Sequence, residues 1–205
     1  MSRHLQILCI AACAGIGLSG CQGTPYANPA LNLNVSMEQT APAFPLRLAA
    51  QSLQVIDRRP QHHVVRIHRG NKPAEFATSS QPLATLISTP LHAYYRTESA
   101  QTDTDTGQLT IAIEQTLCIV QQSLTRHHAE CTIRLEAQAE SDQGRLAKTY
   151  TYARQREGSL NVSLQHLSDD LSTLLSQALR DIQADNALHE WLQPLSSNPN
   201  NEFSQ

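Results

Sequence analysis

Three kinds of residue in this 205-residue chain could do chemistry: its cysteines, two adjacent histidine pairs, and one acidic–basic pair. Cys21 closes the run Leu18-Ser19-Gly20, small residues where a peptidase could cut and free a modifiable thiol. Cys118 and Cys131 stand 13 residues apart and could be joined. The pairs His62-His63 and His127-His128 invite a metal reading. Neighbours on a strand point to opposite faces, so each pair offers one imidazole to a shared site. A metal would need one histidine from each pair and a carboxylate; solvated loop histidines are the plainer reading. Asp57 and Arg59, two residues apart, lie on one face of a continued strand. They suggest an ion pair or a turn-closing hydrogen bond before a ligand contact.

Other chemistry is sparse. The chain has no glycine-rich phosphate loop, no Gly-x-Ser-x-Gly elbow, no His-Glu-x-x-His and no Cys-x-x-Cys. It offers no evident acid–base pair of carboxylates. Glu157 before Gly158 reads as turn chemistry, and His189 with Trp191 as packing of a short last turn. The expectation is a protein without catalytic residues, metal or cofactor.

The segment before Cys21 has Arg3 and His4 at its start and a mostly apolar run from Leu5 to Leu18. That run is too short for a spanning helix, which needs about 20 residues. A basic start, apolar centre and small residues before a cut make 1–20 a secretory signal peptide. Its end resembles the bacterial lipobox, whose cysteine receives diacylglycerol and becomes the acylated N-terminus. By the same resemblance Gln22, in a place where Asp retains lipoproteins in the inner membrane, sends the protein to the outer membrane. Removing 1–20 takes away Arg3 and no acid, leaving 14 basic against 18 acidic residues and a formal charge of −4. Neither nucleic acid nor an anionic surface is implied by so mild a balance.

Residues 22–45 carry Pro25, Pro29, Pro42 and Pro45 among polar residues and read as a tether between an acylated Cys21 and the fold. Residues 46–193 read as one α+β domain, and 194–205, rich in Ser, Asn and Pro, as a disordered tail. Leu46–Leu48 and Leu53–Asp57 suggest a broken strand, Val64–His68 a second, and Glu75–Ala77 its return after a Gly/Asn/Pro turn. Leu83, Leu86, Ile87, Leu91 and Tyr94 fall at helical spacing, with Ser80 as a possible cap. Pro90 predicts a kink there or a fresh start capped by Thr89. Leu109, Ile111, Ile113, Leu117 and Ile119 alternate, broken at Gln115. Cys131, Ile133, Leu135, Ala137 and Ala139 alternate cleanly, and Leu146–Arg154 returns as a hairpin partner. A final helix capped by Ser163 carries the stripe Leu164, Leu167, Leu171, Leu174, Leu175, Ala178 and Ile182, with Asp169, Asp170, Ser176, Gln177 and Asp181 off it. Asp185 or Asn186 starts a short turn through Leu188, Trp191 and Leu192. The expected fold is a two-layer α+β sandwich: an antiparallel meander packed by two helices.

The Cys118–Cys131 question turns on parity. Apolar residues of both strands are odd-numbered, so a regular hairpin points Cys118 away from the face that carries Cys131. An oxidising compartment favours a bridge, whereas the alternation opposes it unless Gln115 or Gln121-Gln122 supplies a β-bulge.

The chain resembles the YajG family of proteobacterial lipoproteins. The likeness is carried by Ser19-Gly20-Cys21, Val55-Ile56-Asp57-Arg58-Arg59, Lys148-Thr149-Tyr150, Glu157-Gly158, a Leu/Asp helix ending Asp181-Ile182, and Leu188-His189-Glu190-Trp191-Leu192. It covers most of 46–193, while Pro90, the Cys118/Cys131 pair and the lack of a glycine after Tyr95 depart from the family pattern. The resemblance implies a location and a fold more than an activity: a non-catalytic module on the outer membrane, facing the periplasm through the lipid on Cys21. Its partner would be an envelope protein or glycan, and an envelope hydrolase or glycan-binding accessory is the alternative.

Overall fold

The computed structural model describes residues 29–37, 52–95 and 107–192. Cys21, Gln22, Leu46–Leu48 and the 194–205 tail lie outside the described residues. The elements in chain order are β1 (Ala30–Leu31), β2 (Leu53–Asp57), β3 (His63–Arg69), β4 (Glu75–Ser79), α1 (Leu83–Tyr95), β5 (Gln108–Gln122), β6 (Arg126–Ser141), β7 (Gly144–Ser159), α2 (Leu164–Gln183) and α3 (Asn186–Leu192).

β5, β6 and β7 form the expected antiparallel meander, but the whole is a mixed seven-stranded sheet in the order β1-β4-β3-β5-β6-β7. The purely antiparallel expectation is therefore corrected. β2 and β3 both pair parallel with β5 on the same side, one after the other: Leu53 opposite Leu109 and Asp57 opposite Ile113, then Val65 opposite Cys118 and Arg69 opposite Gln122. They act as one strand whose middle, 58–62, is looped out. β4 returns antiparallel on β3, and β1 adds parallel to β4.

The core lies on one face. The β6 residues Cys131, Ile133, Leu135, Ala137 and Ala139 are buried there. They meet Ile87 and Leu91 of α1, Leu167, Leu171, Leu175 and Ile182 of α2, and Leu188 and Leu192 of α3. Thus three helices, not two, cover the sheet. α1 runs unbroken through Pro90. Thr89 does not cap a second helix; its hydroxyl donates to the Thr85 carbonyl at 2.9 Å. The buried stripe Leu83, Ile87, Leu91 and Tyr95 holds the helix on both sides of the proline. Ser163 occupies the N-cap of α2 but makes no side-chain cap bond. In α3 the cap is Asp185, whose Oδ1 accepts from the amides of Ala187 (3.1 Å) and Leu188 (3.2 Å).

A tether reaching to residue 45 is also corrected, because 29–37 lie on the domain. Leu31 and Leu33 are buried, and Val35 and Met37 pack beside them. Polar Asn32, Asn34 and Ser36 alternate with them, a period of two that the prolines nearby obscure. The segment runs along α2. The Ser168 hydroxyl donates to the Asn32 carbonyl (2.6 Å), and the hydroxyls of Ser172 and Ser176 accept from the amides of Asn34 (3.0 Å) and Ser36 (3.1 Å). Four helical residues rise about 6 Å. Two extended residues span about 6.6 Å, so serines four apart match every second backbone group of the strand-like segment.

The opposite flank of α2 faces β7. Asp170, only 1% exposed, takes Arg156 through two 2.8 Å bonds and Arg154 at 3.1 Å. Tyr152 donates to Asp181, while Tyr150 (2.6 Å) and Lys148 (2.7 Å) hold Asp185. Asp170 and Ser176 are thus not on a wet face, as their polarity suggested. Burial, then the bond to Asp181, raises the Tyr152 hydroxyl to about 12. Burial alone would raise Asp185, yet Lys148, Tyr150 and the Leu188 amide together hold it below the usual carboxylate range.

Candidate functional site

The other face of the sheet carries no helix among the described residues. Its middle is a row one residue deep across four strands: Phe76 of β4, Arg66 of β3, Ile119 of β5 and Glu130 of β6 stand opposite one another in register. Phe76 and Ile119 are each 36% exposed, and Ile56 further down the sheet is 37% exposed. The Arg66 guanidinium lies 5.9 Å from the Phe76 ring centroid, and the His63 ring packs on Phe76 at 4.6 Å. Burial, then the Arg66 and Arg59 charges, lowers the His63 imidazole below its ordinary range. The result is a shallow surface with apolar side chains in a polar frame.

Ile119 faces outward because β5 changes phase. Leu109, Ile111 and Ile113 point into the core, but a bulge between Ile113 and Gln115 turns Thr116, Cys118 and Val120 inward instead. The expected core positions Leu117 and Ile119 are therefore on the outer face. The same shift sets Cys118 opposite Cys131, and their sulfurs are bonded.

Asp57 ends β2 and Arg59 sits in the looped-out stretch after it, beside this bulge. Arg59 grips the Asp57 carboxylate at 2.9 and 2.8 Å, and its own amide donates to the same carboxylate at 3.2 Å. Although burial opposes it, this grip holds the Asp57 carboxyl below its ordinary range. The Arg59 side chain is 6% exposed and reaches the Thr116 carbonyl, so the pair closes the loop against the bulge. A small cavity of about 270 Å³ lies alongside, lined by Pro60, Gln61, His63 and Gln115.

The two histidine pairs are at separate places. His63 begins β3, whereas His127 and His128 follow Arg126 at the start of β6, level with the far end of β3. Among the described residues no three His, Cys, Asp or Glu side chains are grouped as metal ligands. His127 donates through Nδ1 to the Leu160 carbonyl (3.1 Å), and His128 lies 3.4 Å from Glu157. They border an open hollow of about 750 Å³ with Arg126, Gly70 and Ser159. His189 is buried with its Nε2 3.1 Å from the Tyr95 hydroxyl, and burial lowers its imidazole despite the Asp185 charge. Trp191 donates to the Gly144 carbonyl at 3.3 Å, tying α3 to the β6–β7 turn.

A mixed sheet with helices on one face, a surface rather than a cleft on the other, and no helix among the described residues long and apolar enough to cross a membrane define a small α+β module. Residues 47–193 match the family model Lipoprotein_16, described as "Uncharacterized lipoprotein". The chain belongs to this YajG-type lipoprotein family. Among solved structures it is similar to a DUF330-family protein from Xanthomonas campestris, at 14% identity and a TM-score of 0.49 over 78% of this chain and 95% of that one. It is also similar to a structure described only as an uncharacterized protein, at 10% identity and a TM-score of 0.40 over 74% and 97%. No curated protein matches the chain.

Proposed function

We propose that the protein is a non-catalytic binding module, held by a lipid on Cys21 at the outer membrane and facing the periplasm, whose open sheet face takes an envelope protein or glycan. The observation that carries this reading is the row Phe76, half-buried Arg66, Ile119 and Glu130, apolar and charged groups set together on a sheet face that carries no helix among the described residues. Exposed apolar groups rimmed by polar ones mark contact surfaces. A photocrosslinking residue in place of Ile119, in intact cells, is expected to capture a defined envelope component, while the same residue at exposed Gln177 of α2, on the helical side, does not. Equal capture at both positions would refute the assignment of this face. The hollow beside His127 and His128 is where a glycan-binding or hydrolytic alternative would act. Loss of glycan retention in His128→Ala, with Ile119→Lys unaffected, would favour that alternative.

The anchor has its own test. Cys21→Ala is expected to abolish incorporation of labelled palmitate and to leave the precursor uncut, and persistent labelling would exclude Cys21 as the acylated residue. Gln22→Asp is expected to move the protein to inner-membrane fractions of a sucrose gradient.

A further inference from the structure

We infer that the end of the sheet formed by the β3–β4, β5–β6 and β7–α2 links rests on the phospholipid headgroups of the membrane that holds the protein, an inference that rests on the acylation of Cys21. Two leucines are exposed there, Leu124 at 96% and Leu160 at 65%. Leu160 is set in place by its backbone. Leu160 has φ 61, the left-handed region that a side chain bearing Cβ rarely adopts. It is held there from both sides: its amide donates to the Thr125 carbonyl at 3.0 Å, and its carbonyl accepts from His127 Nδ1. Gly158 makes room for that imidazole, since a Cβ on it would stand 2.4 Å from His127 Cε1. The fold therefore fixes the Leu124 turn and Leu160 side by side in water, on neighbouring links.

The polar groups around them suit a phosphate-bearing surface. Exposed Arg126 and Lys72 stand at this end with His127, His128 and Arg69, the last bridged by Glu75 at 2.5 Å. Glu157, beside His128, is the other acid of this end. Apolar side chains enter the headgroup boundary while Lys and Arg meet its phosphates.

The direction of the chain supplies the second argument. β1 runs parallel to β4, which starts at this end at Glu75. The Pro29 carbonyl accepts from the Thr78 amide, so the N-terminal side of β1 faces the same end. Cys21 lies eight residues before Pro29. Eight residues reach at most about 28 Å, so a lipid on Cys21 keeps this end of the sheet near the bilayer.

The test uses the acylated mature protein in vesicles of phosphatidylethanolamine and phosphatidylglycerol. With Cys118 and Cys131 joined and Cys21 acylated, Leu124→Cys offers one thiol for a bimane label. Headgroup-nitroxide lipids are expected to quench it about threefold more than a label on Asp142→Cys at the opposite turn. Equal quenching in protein whose mass shows the acyl chains overturns the docking and leaves the anchor standing. A mass without acyl chains overturns the anchor and the docking with it. A label at 124 that responds only when envelope extract is added assigns this end to a protein and overturns the lipid contact.

Discussion

Removing Arg154 and Arg156 together is expected to destabilise the protein by about 4 kcal/mol, because the double alanine variant leaves the Asp170 carboxylate buried without a cation. For a domain of this size that is a fall in Tm of roughly 10 °C by calorimetry. The two arginines are themselves partly exposed, so the penalty falls on the stranded acid rather than on lost surface pairing. The triple variant that adds Asp170→Leu is expected to recover most of the loss, since replacing a buried ion cluster by apolar side chains is close to neutral. If the triple variant is no more stable than the double, the cost lies in the packing of the arginine stems, and the electrostatic account fails.

The second large effect concerns the bridge. The Cys118→Ala/Cys131→Ala variant is expected to lose about 3 kcal/mol, the loop-closure value for a bridge across about 15 residues. Tm should fall similarly when the native protein is reduced, and a variant whose Tm is unchanged by reductant serves as the control. Deleting Glu114 tests the cause of the bridge. Glu114 has no partner on β6, so its removal leaves Ile113 opposite Leu135, Gln115 opposite Arg134 and Cys118 opposite Cys131 in one unbroken register; the bridge is expected to survive, and the unreduced variant to take no alkyl label. Two labels on the deletion variant would show that strand parity does not control the pairing.

That bulge also explains which parts of the fold were legible in the sequence. Local alternation revealed β6 and β7, the 3.6-residue stripe revealed α2, and Asp185 revealed the start of α3. Each is a signal contained within one element. The parallel docking of β2 and β3 on β5 joins residues more than 50 positions apart and leaves no local pattern. The bulge changes the parity of β5 without changing its composition, so Leu117 and Ile119 looked like core and Thr116 did not. On α2 Ser176 and Asp170 looked like a wet face, because their partners are the Ser36 amide and two arginines of β7, and Ser168 and Ser172, which hold the backbone of 32–34, gave no signal of their own. Asp57 and Arg59 were legible as a pair from spacing alone. Their place against the bulge was not, and neither was the outer row of Phe76, Arg66 and Ile119, which depends on the register of three strands.

The serine ladder has a consequence for distance across the envelope. While Ser168, Ser172 and Ser176 hold the backbone of 32–36, the chain between an acylated Cys21 and the fold is eight residues, about 28 Å at full stretch. Those bonds are few and partly exposed, and β1 contributes only two paired residues. Were they to part, the next paired residue among the described ones would be Leu53, and roughly 30 residues, at most about 100 Å of contour, would lie between Cys21 and that strand. For a protein acylated at Cys21, as proposed above, this latch would be a length setting: closed, it would keep the module against its bilayer, and open, it would give a reach several times greater.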